Sequence, residues 1–240
     1  MANPVRILIW DIESSDLVAD FGTIICIGWK WLGEKEPVHI QCLSDFPRWK
    51  QDVTDDKRLV QAFYPRLIEA DMMVTYFGTG FDKKMVQSKL LEHGLAPPPN
   101  TPHVDLFYTV KSNMVLSRKR LENVSEFLGC PTKKTPIKPK VWKRAQAGYP
   151  EAIEYVTKHC HNDVLITEYT YLKLRPYARQ HPRVGSLQAC RHCGELRLTN
   201  QGYSLTTTKG KRRRVQCQAC GAWDTVSLKE WETTKEAQRG

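Results

Sequence analysis

The chain has 240 residues, 41% of them hydrophobic, and carries 36 Lys and Arg against 26 Asp and Glu, a formal net charge of +10. Its length allows an α/β core plus a smaller second domain, while no apolar stretch approaches the ~20 residues needed to cross a bilayer, which excludes a membrane span. The positive surplus favours an acidic polymer, nucleic acid, as partner.

The first element is the apolar run Ile7 to Ile12, which reads as a buried strand. It carries Trp10-Asp11-Ile12-Glu13, and alternation along a strand sends Asp11 and Glu13 to the same face. Two acids emerging side by side from a buried strand repel each other unless a cation lies between them, and hard oxygen ligands suit Mg²⁺ or Mn²⁺. The plain alternative is a strand end whose acids are solvated. Further strand-like runs cover Thr23 to Leu32, Val38 to Leu43 and Met72 to Phe77, with a helical pattern at Arg58 to Ala70. Gly78-Thr79-Gly80 then leads to Phe81-Asp82, which opens a helical pattern to His93. An Asp in that place is commonly an N-cap.

Proline-rich segments at Ala96 to Pro102 and Thr132 to Lys140 read as loops, the second facing substrate. Cys130 to Gly148 holds Lys133, Lys134, Lys138, Lys140, Lys143 and Arg144 with no acid, a run suited either to a solvated face or to phosphate contacts. From Glu151 to Leu172, Tyr155, Val156, Cys160, Val164, Leu165 and Tyr169 recur at helical spacing. His159 lies one turn before Asp163, on the same face. That pair is either an ordinary ion pair or a base beside a metal ligand. Arg175 to Pro182 breaks the periodicity, so the first domain is expected over residues 1–180 and a second over 181–240.

The second domain contains Cys190-Arg191-His192-Cys193-Gly194 and Cys217-Gln218-Ala219-Cys220-Gly221, with the 23 residues 194–216 between the inner cysteines. Each C-x-x-C turn can aim two sulfurs at one ion, which predicts a structural Zn²⁺ held by Cys190, Cys193, Cys217 and Cys220. Two disulfides or a redox pair are the alternatives. Cys26, Cys42, Cys130 and Cys160 have no paired spacing and no signal peptide is read, so a reducing, cytoplasmic compartment fits. Thr206 to Lys211 reads as the tip of a hairpin between Tyr203-Ser204-Leu205 and Val215-Gln216-Cys217, the layout of a zinc ribbon. Lys209, Lys211, Arg212, Arg213 and Arg214 make it basic, and Trp142 and Trp223 stand beside basic runs, where they either stack bases or join cores.

Taken together, Ile7 to Glu13, Gly78-Thr79-Gly80-Phe81-Asp82 and His159-Cys160-His161-Asn162-Asp163-Val164 resemble the three motifs of the DEDD, or DnaQ-like, 3′-to-5′ exonucleases of the ribonuclease H-like superfamily. Asp105 in His103-Val104-Asp105-Leu106 and the helix-and-glycine segment Leu121 to Gly129 are further echoes, and the likeness covers roughly residues 5–172. It implies an α/β fold, a ribonuclease H-like mixed sheet flanked by helices, followed by the small β zinc ribbon. It also implies two-metal phosphodiester hydrolysis, with Asp11, Glu13 and Asp163 on one ion, Asp11 bridging to a second, Asp82 serving that second ion, and His159 as base. Relatives carry either Tyr four residues before the last Asp or His five before it; this chain has His159 at four and Lys158 at five. His161 is a substitute base, although two helical residues rotate it away from Asp163. Phe77 stands where relatives often carry Asn. The expected activity is a 3′-to-5′ exonuclease on nucleic acid, with single-stranded DNA favoured over RNA although no residue distinguishes deoxyribose from ribose, and with a protein partner for the ribbon as a further expectation. The rivals are a structure-selective endonuclease, an exoribonuclease and a noncatalytic nucleic-acid-binding adaptor on the same fold.

Overall fold

The computed structural model describes residues 5–35 and 37–237. The chain divides into two compact units, a larger one over Arg6–Leu172 and a smaller one from Lys173 onward. Among the described residues, no helix is long and apolar enough to cross a membrane.

The larger unit is built on β1 (Ile7–Ser14), β2 (Ile24–Trp31), β3 (His39–Cys42), β4 (Met72–Thr75) and β5 (His103–Asp105), ordered β3-β2-β1-β4-β5. β1, β2 and β3 pair antiparallel, whereas β4 and β5 run parallel to β1, so the sheet is mixed. Leu8, Ile9 and Trp10 in β1 and Ile24 to Ile27 in β2 are buried without alternation, because helices cover both faces. On one face α1 (Lys57–Glu69) and α2 (Asp82–Glu92) bring Leu59, Phe63, Leu67, Met85 and Leu90 against Leu8, Trp10 and Ile27. On the other, α5 (Pro139–Gln146) and α6 (Pro150–Leu174) pack Ala145, Ile153, Val156 and Cys160 against Ile25, Cys26 and Cys42. Buried Asp56 ties the first layer together, accepting from Ile24 N–H at 2.8 Å and bonding His93 Nε2 at 2.6 Å.

α6 approaches the sheet closely because β2 carries Gly28 where they meet. A Cβ there would stand 2.9 Å from Cys160 Sγ and 3.1 Å from Val164 Cγ2. This contact sets the depth at which the residues around Cys160 face β1.

Several boundaries differ from the sequence expectation for local reasons. β4 stops at Thr75, not Phe77, because Phe77 turns the chain with φ +67°. The proline-rich segment ends at Lys138, since Pro139 opens α5 at a position where its missing N–H costs nothing. Short β5, α3 (Leu106–Asn113) and α5 left too little periodicity to be read as elements, while α4 (Leu121–Phe127) matches the helical segment expected there.

The smaller unit holds a three-stranded antiparallel sheet, β6 (Leu198–Thr206), β7 (Gly210–Cys217) and β8 (Trp223–Val226), followed by α7 (Leu228–Ala237). The hairpin is tighter than expected: both strands run on to Thr206 and Gly210, and Gly210 closes the turn at φ +64°. Its core is small, with Leu198, Val215, Val226 and Trp231 packed beside Cys190 and Cys217.

Candidate active site

β1 delivers Asp11 and Glu13 from its C-terminal half, α2 begins on Asp82, and α6 presents His159 and Asp163 one turn apart. These positions, separated by up to 152 residues in sequence, meet because β1 is the central strand and both helices end or cross beside it. Asp82 Oδ1 accepts the N–H of Ile12, between the two acids of β1, at 3.3 Å. Glu13, His159 and Asp163 offer ligand atoms lying within 4.8 Å of one another. His159 Nε2 stands 3.6 Å from both Glu13 Oε1 and Asp163 Oδ2.

The electrostatics are those of a crowded anionic site. Burial, then the charges of Asp82 and Asp163, hold the Asp11 carboxyl well above the ordinary range. Burial, then Asp11 and Asp163, does the same to Glu13. Asp82 is pushed up to about 7 by burial, against the pull of backbone hydrogen bonds. His159 is lowered, first by burial and further by Lys134, against Asp163, so the imidazole is neutral near pH 7. Asp163 is 3% exposed and its Oδ1 has no hydrogen-bond partner. Such an orphaned oxygen, among carboxylates that resist joint ionisation, fits a donor set for a hard divalent cation.

A cation from the chain already leans into this cluster. Lys134 pairs with Asp163 Oδ2. Burial opposes its charge, but Asp163, Asp11 and Glu13 together outweigh burial and raise its pKa. The adjacent Thr135 Oγ1 lies 3.0 Å from His159 Nδ1. The sequence marked Lys134 as a phosphate contact and passed over Thr135, because nothing in a proline-rich loop shows which residues fold inward. Cys160 Sγ approaches Asp11 O at 3.6 Å, and His161, half-buried, faces Asn162 at 3.5 Å rather than the carboxylates.

The turn before Asp82 is held from below. Buried Asp105 accepts the N–H groups of Phe77 at 2.9 Å and Thr79 at 3.0 Å, and caps α3 through Phe107 N–H. The clamp keeps Phe77 left-handed, a conformation that costs a bulky residue about 1–3 kcal/mol.

In the smaller unit the four sulfurs of Cys190, Cys193, Cys217 and Cys220 lie within 4.8 Å of one another. Cys190 and Cys220 are 3.7 Å apart and Cys193 and Cys217 3.6 Å, too long for disulfides. A tetrahedron with Zn–S of ~2.3 Å has edges of ~3.8 Å, so the set fits zinc. Gly194 and Gly221 take φ of +75° and +74°, the left-handed step that closes each turn. The hydrogen bond from Cys190 draws the Cys193 thiol down to about 5, while Cys190 itself is raised, chiefly by the same bond.

Of the expected phosphate contacts, Lys133, Lys138, Lys140, Lys143, Lys209, Lys211 and Arg214 are exposed. Arg144 instead pairs with Glu151 and lies over the Tyr149 ring at 4.6 Å. Arg212 reaches Thr225 O and Glu230, and Arg213 lies over Tyr203 at 4.1 Å. Trp142 packs on the core under α6, whereas Trp223 is exposed beneath Arg214.

The fold is found in known proteins. The family B DNA polymerase of the hyperthermophilic archaeon Pyrobaculum calidifontis superposes on 73% of this chain with a TM-score of 0.57 at 16% identity. The matched region is 26% of the polymerase chain, a fraction of that protein's length. No curated protein sequence matches the chain. The sequence profile of the RNase_H superfamily matches residues 8–175, a span that includes β2 to β5, all of β1 but its first residue, and Asp11, Glu13, Asp82 and Asp163; the chain belongs to that superfamily.

Proposed function

We propose that the chain is a divalent-metal-dependent 3′-to-5′ exonuclease of the DEDD type, acting on single-stranded nucleic acid with DNA favoured over RNA. The observation that carries this reading is the meeting of Glu13 and Asp163 at the neutral imidazole of His159, with Asp11 on the same strand as Glu13 and Asp82 accepting the Ile12 N–H between those two acids. Two Mg²⁺ or Mn²⁺ ions, when bound, supply the positive charge that phosphodiester hydrolysis needs at the attacking and leaving oxygens. Asp11, Glu13, Asp82 and Asp163 are the residues that would hold these ions. His159 accepts the proton of the attacking water at Nε2, with Nδ1–H donated to Thr135 Oγ1 fixing the tautomer and the ring. Lys134, paired with Asp163, would have to give up that contact for an ion to bind there. Lys133, Lys138, Lys140 and Lys143, together with Lys209, Lys211, Arg212, Arg213 and Arg214 of the ribbon, grip phosphates without reading sequence. One Zn²⁺ on Cys190, Cys193, Cys217 and Cys220 would hold the ribbon, a module for nucleic acid or a protein partner.

The test is a 5′-labelled single-stranded oligonucleotide incubated in Mg²⁺, in Mn²⁺ and in EDTA, beside the Asp11→Asn variant and a ribo-oligonucleotide of the same sequence. A metal-dependent ladder shortening from the 3′ end, absent in Asp11→Asn, is expected. Discrete internal cuts would replace this reading with an endonuclease. The Lys134 pair with Asp163 favours one second reading, an adaptor in which the lysine permanently neutralises the acids; tight binding of uncut oligonucleotide in every metal would establish it.

A further inference from the structure

Phe77 is chosen neither for backbone comfort nor for burial. Its φ of +67° suits Gly or Asn, and its side chain is left 42% exposed. Yet the ring is placed with care. Asp105 fixes its backbone, and the ring lies over Gly80, where any Cβ would overlap it, two residues before Asp82. Its edge meets Phe107 at 4.9 Å and 72°, and its plane lies at 27° to that of Tyr108, also 42% exposed, with centroids 6.4 Å apart.

The surroundings are basic. From Leu106 to Leu121 the chain carries Lys111, Arg118, Lys119 and Arg120 and no acid. Lys111 Nζ stands 6.0 Å from the Tyr108 ring, and the Tyr76 hydroxyl donates to Lys119 O at 2.6 Å, which ties this basic segment to the aromatic group. Exposed rings in near-parallel planes, with Lys111 beside one of them, a basic segment tied to the group through Lys119 O, and a candidate catalytic carboxylate close by in sequence, match what a nucleotide requires. A base takes the aromatic face and its phosphate takes the positive charge.

We infer that Phe77 and Tyr108 form a stacking platform for one nucleobase of the single-stranded substrate, with Lys111, Arg118 and Arg120 receiving the adjoining phosphates. The inference rests on the nuclease reading above and adds a substrate-selecting residue to it. Phe77 is a specificity residue: it holds the strand and leaves the chemistry to the carboxylates.

The experiment places 2-aminopurine at successive positions of a single-stranded oligonucleotide and measures its quenching by the protein in chelator-free buffer without Mg²⁺ or Mn²⁺, where nothing is cut and the four cysteines keep their metal. Quenching should peak at one position and be largely lost in Phe77→Asn, whose side chain tolerates the left-handed backbone. In Mg²⁺, Phe77→Asn should raise KM roughly tenfold, the scale of one lost base stack, with kcat within about twofold. An abasic site at the quenched position should weaken wild-type binding to a similar degree and leave the variant indifferent. If Phe77→Asn misfolds by circular dichroism, Tyr108→Ala provides the same comparison. Equal binding of intact and abasic strands by wild type and variant would overturn the platform and assign these rings to a protein partner. Failure of the wild type to bind any oligonucleotide would overturn the nucleic-acid reading itself, and the platform with it.

Discussion

The two candidate metal sites are built on opposite principles. The thiolates come from two short turns between positions 190 and 220, around a core of a few side chains, chiefly Leu198, Val215, Val226 and Trp231. The carboxylates come from β1, α2 and α6, mounted on a sheet whose two faces are packed independently of any ion. An ion on the thiolates would be part of the fold; an ion on the carboxylates would enter a fold that exists beforehand and relieve the electrostatic repulsion stored there. Metal removal should therefore have opposite consequences in the two units.

The largest effect is expected in the ribbon. Structural zinc contributes an apparent ~10–16 kcal/mol to folding in comparable small domains, far more than this core supplies without it. Chelation, or Cys193→Ser, should expose the segment from Cys190 to Val226 to proteolysis while the unit over Arg6–Leu172 stays resistant. A ribbon equally protected with and without metal would erase the contrast. Next in size are Asp11→Asn and Asp163→Asn, each expected to reduce hydrolysis by at least about 10³ through loss of metal binding. In the metal-free protein, however, Asp11→Asn should raise stability by about 1 kcal/mol, since it removes a charge that burial, Asp82 and Asp163 all disfavour. A destabilised Asp11→Asn would mean that the acids are structural.

This contrast also explains what the sequence could disclose. Strand alternation put Asp11 and Glu13 on one face, and a single helical turn put His159 beside Asp163, because both relations are local. The C-x-x-C-G pairs are equally local, and their left-handed glycines follow from the turn itself. What escaped depends on chain segments without period. Lys134 and Thr135 arrive from a proline-rich loop and reach Asp163 and His159 only through tertiary packing. Likewise, β5 is three residues long, yet its Asp105 fixes the turn ahead of Asp82. The meeting of α6 with the sheet turned on Gly28, whose role is invisible until Cys160 and Val164 lie over it.

A smaller effect separates the proposed base from the proposed ligands. His159→Ala should lower kcat by about 10²–10⁴, the usual contribution of general-base catalysis, while leaving Mg²⁺ affinity within a fewfold of wild type. Thr135→Val should reproduce a fraction of that loss by freeing the imidazole tautomer. Parallel loss of metal affinity in His159→Ala would place the histidine among the ligands instead.

The smallest effect is a dependence on pH that follows from Asp82. Its carboxyl sits at about 7 in the folded protein against an ordinary 3.8, so between those values the metal-free folded chain holds more protons than the unfolded chain. The corresponding stability is present below pH ~4 and is lost as pH rises toward 7, the reverse of a salt-bridged acid. Raised Asp11 and Glu13 act in the same direction. Divalent ions bind only the ionised acids, so the gain in Tm on adding Mg²⁺ should grow between pH 5.5 and pH 8, by a few degrees for a chain of this size. Asp82→Asn should flatten part of that growth. Unfolding of the smaller unit can be followed separately by proteolysis at each pH, so a Mg²⁺ gain that does not change with pH would show that the repulsion among Asp11, Glu13 and Asp82 is relieved by something other than the ion, with Lys134, paired with Asp163, the cation at hand to do it.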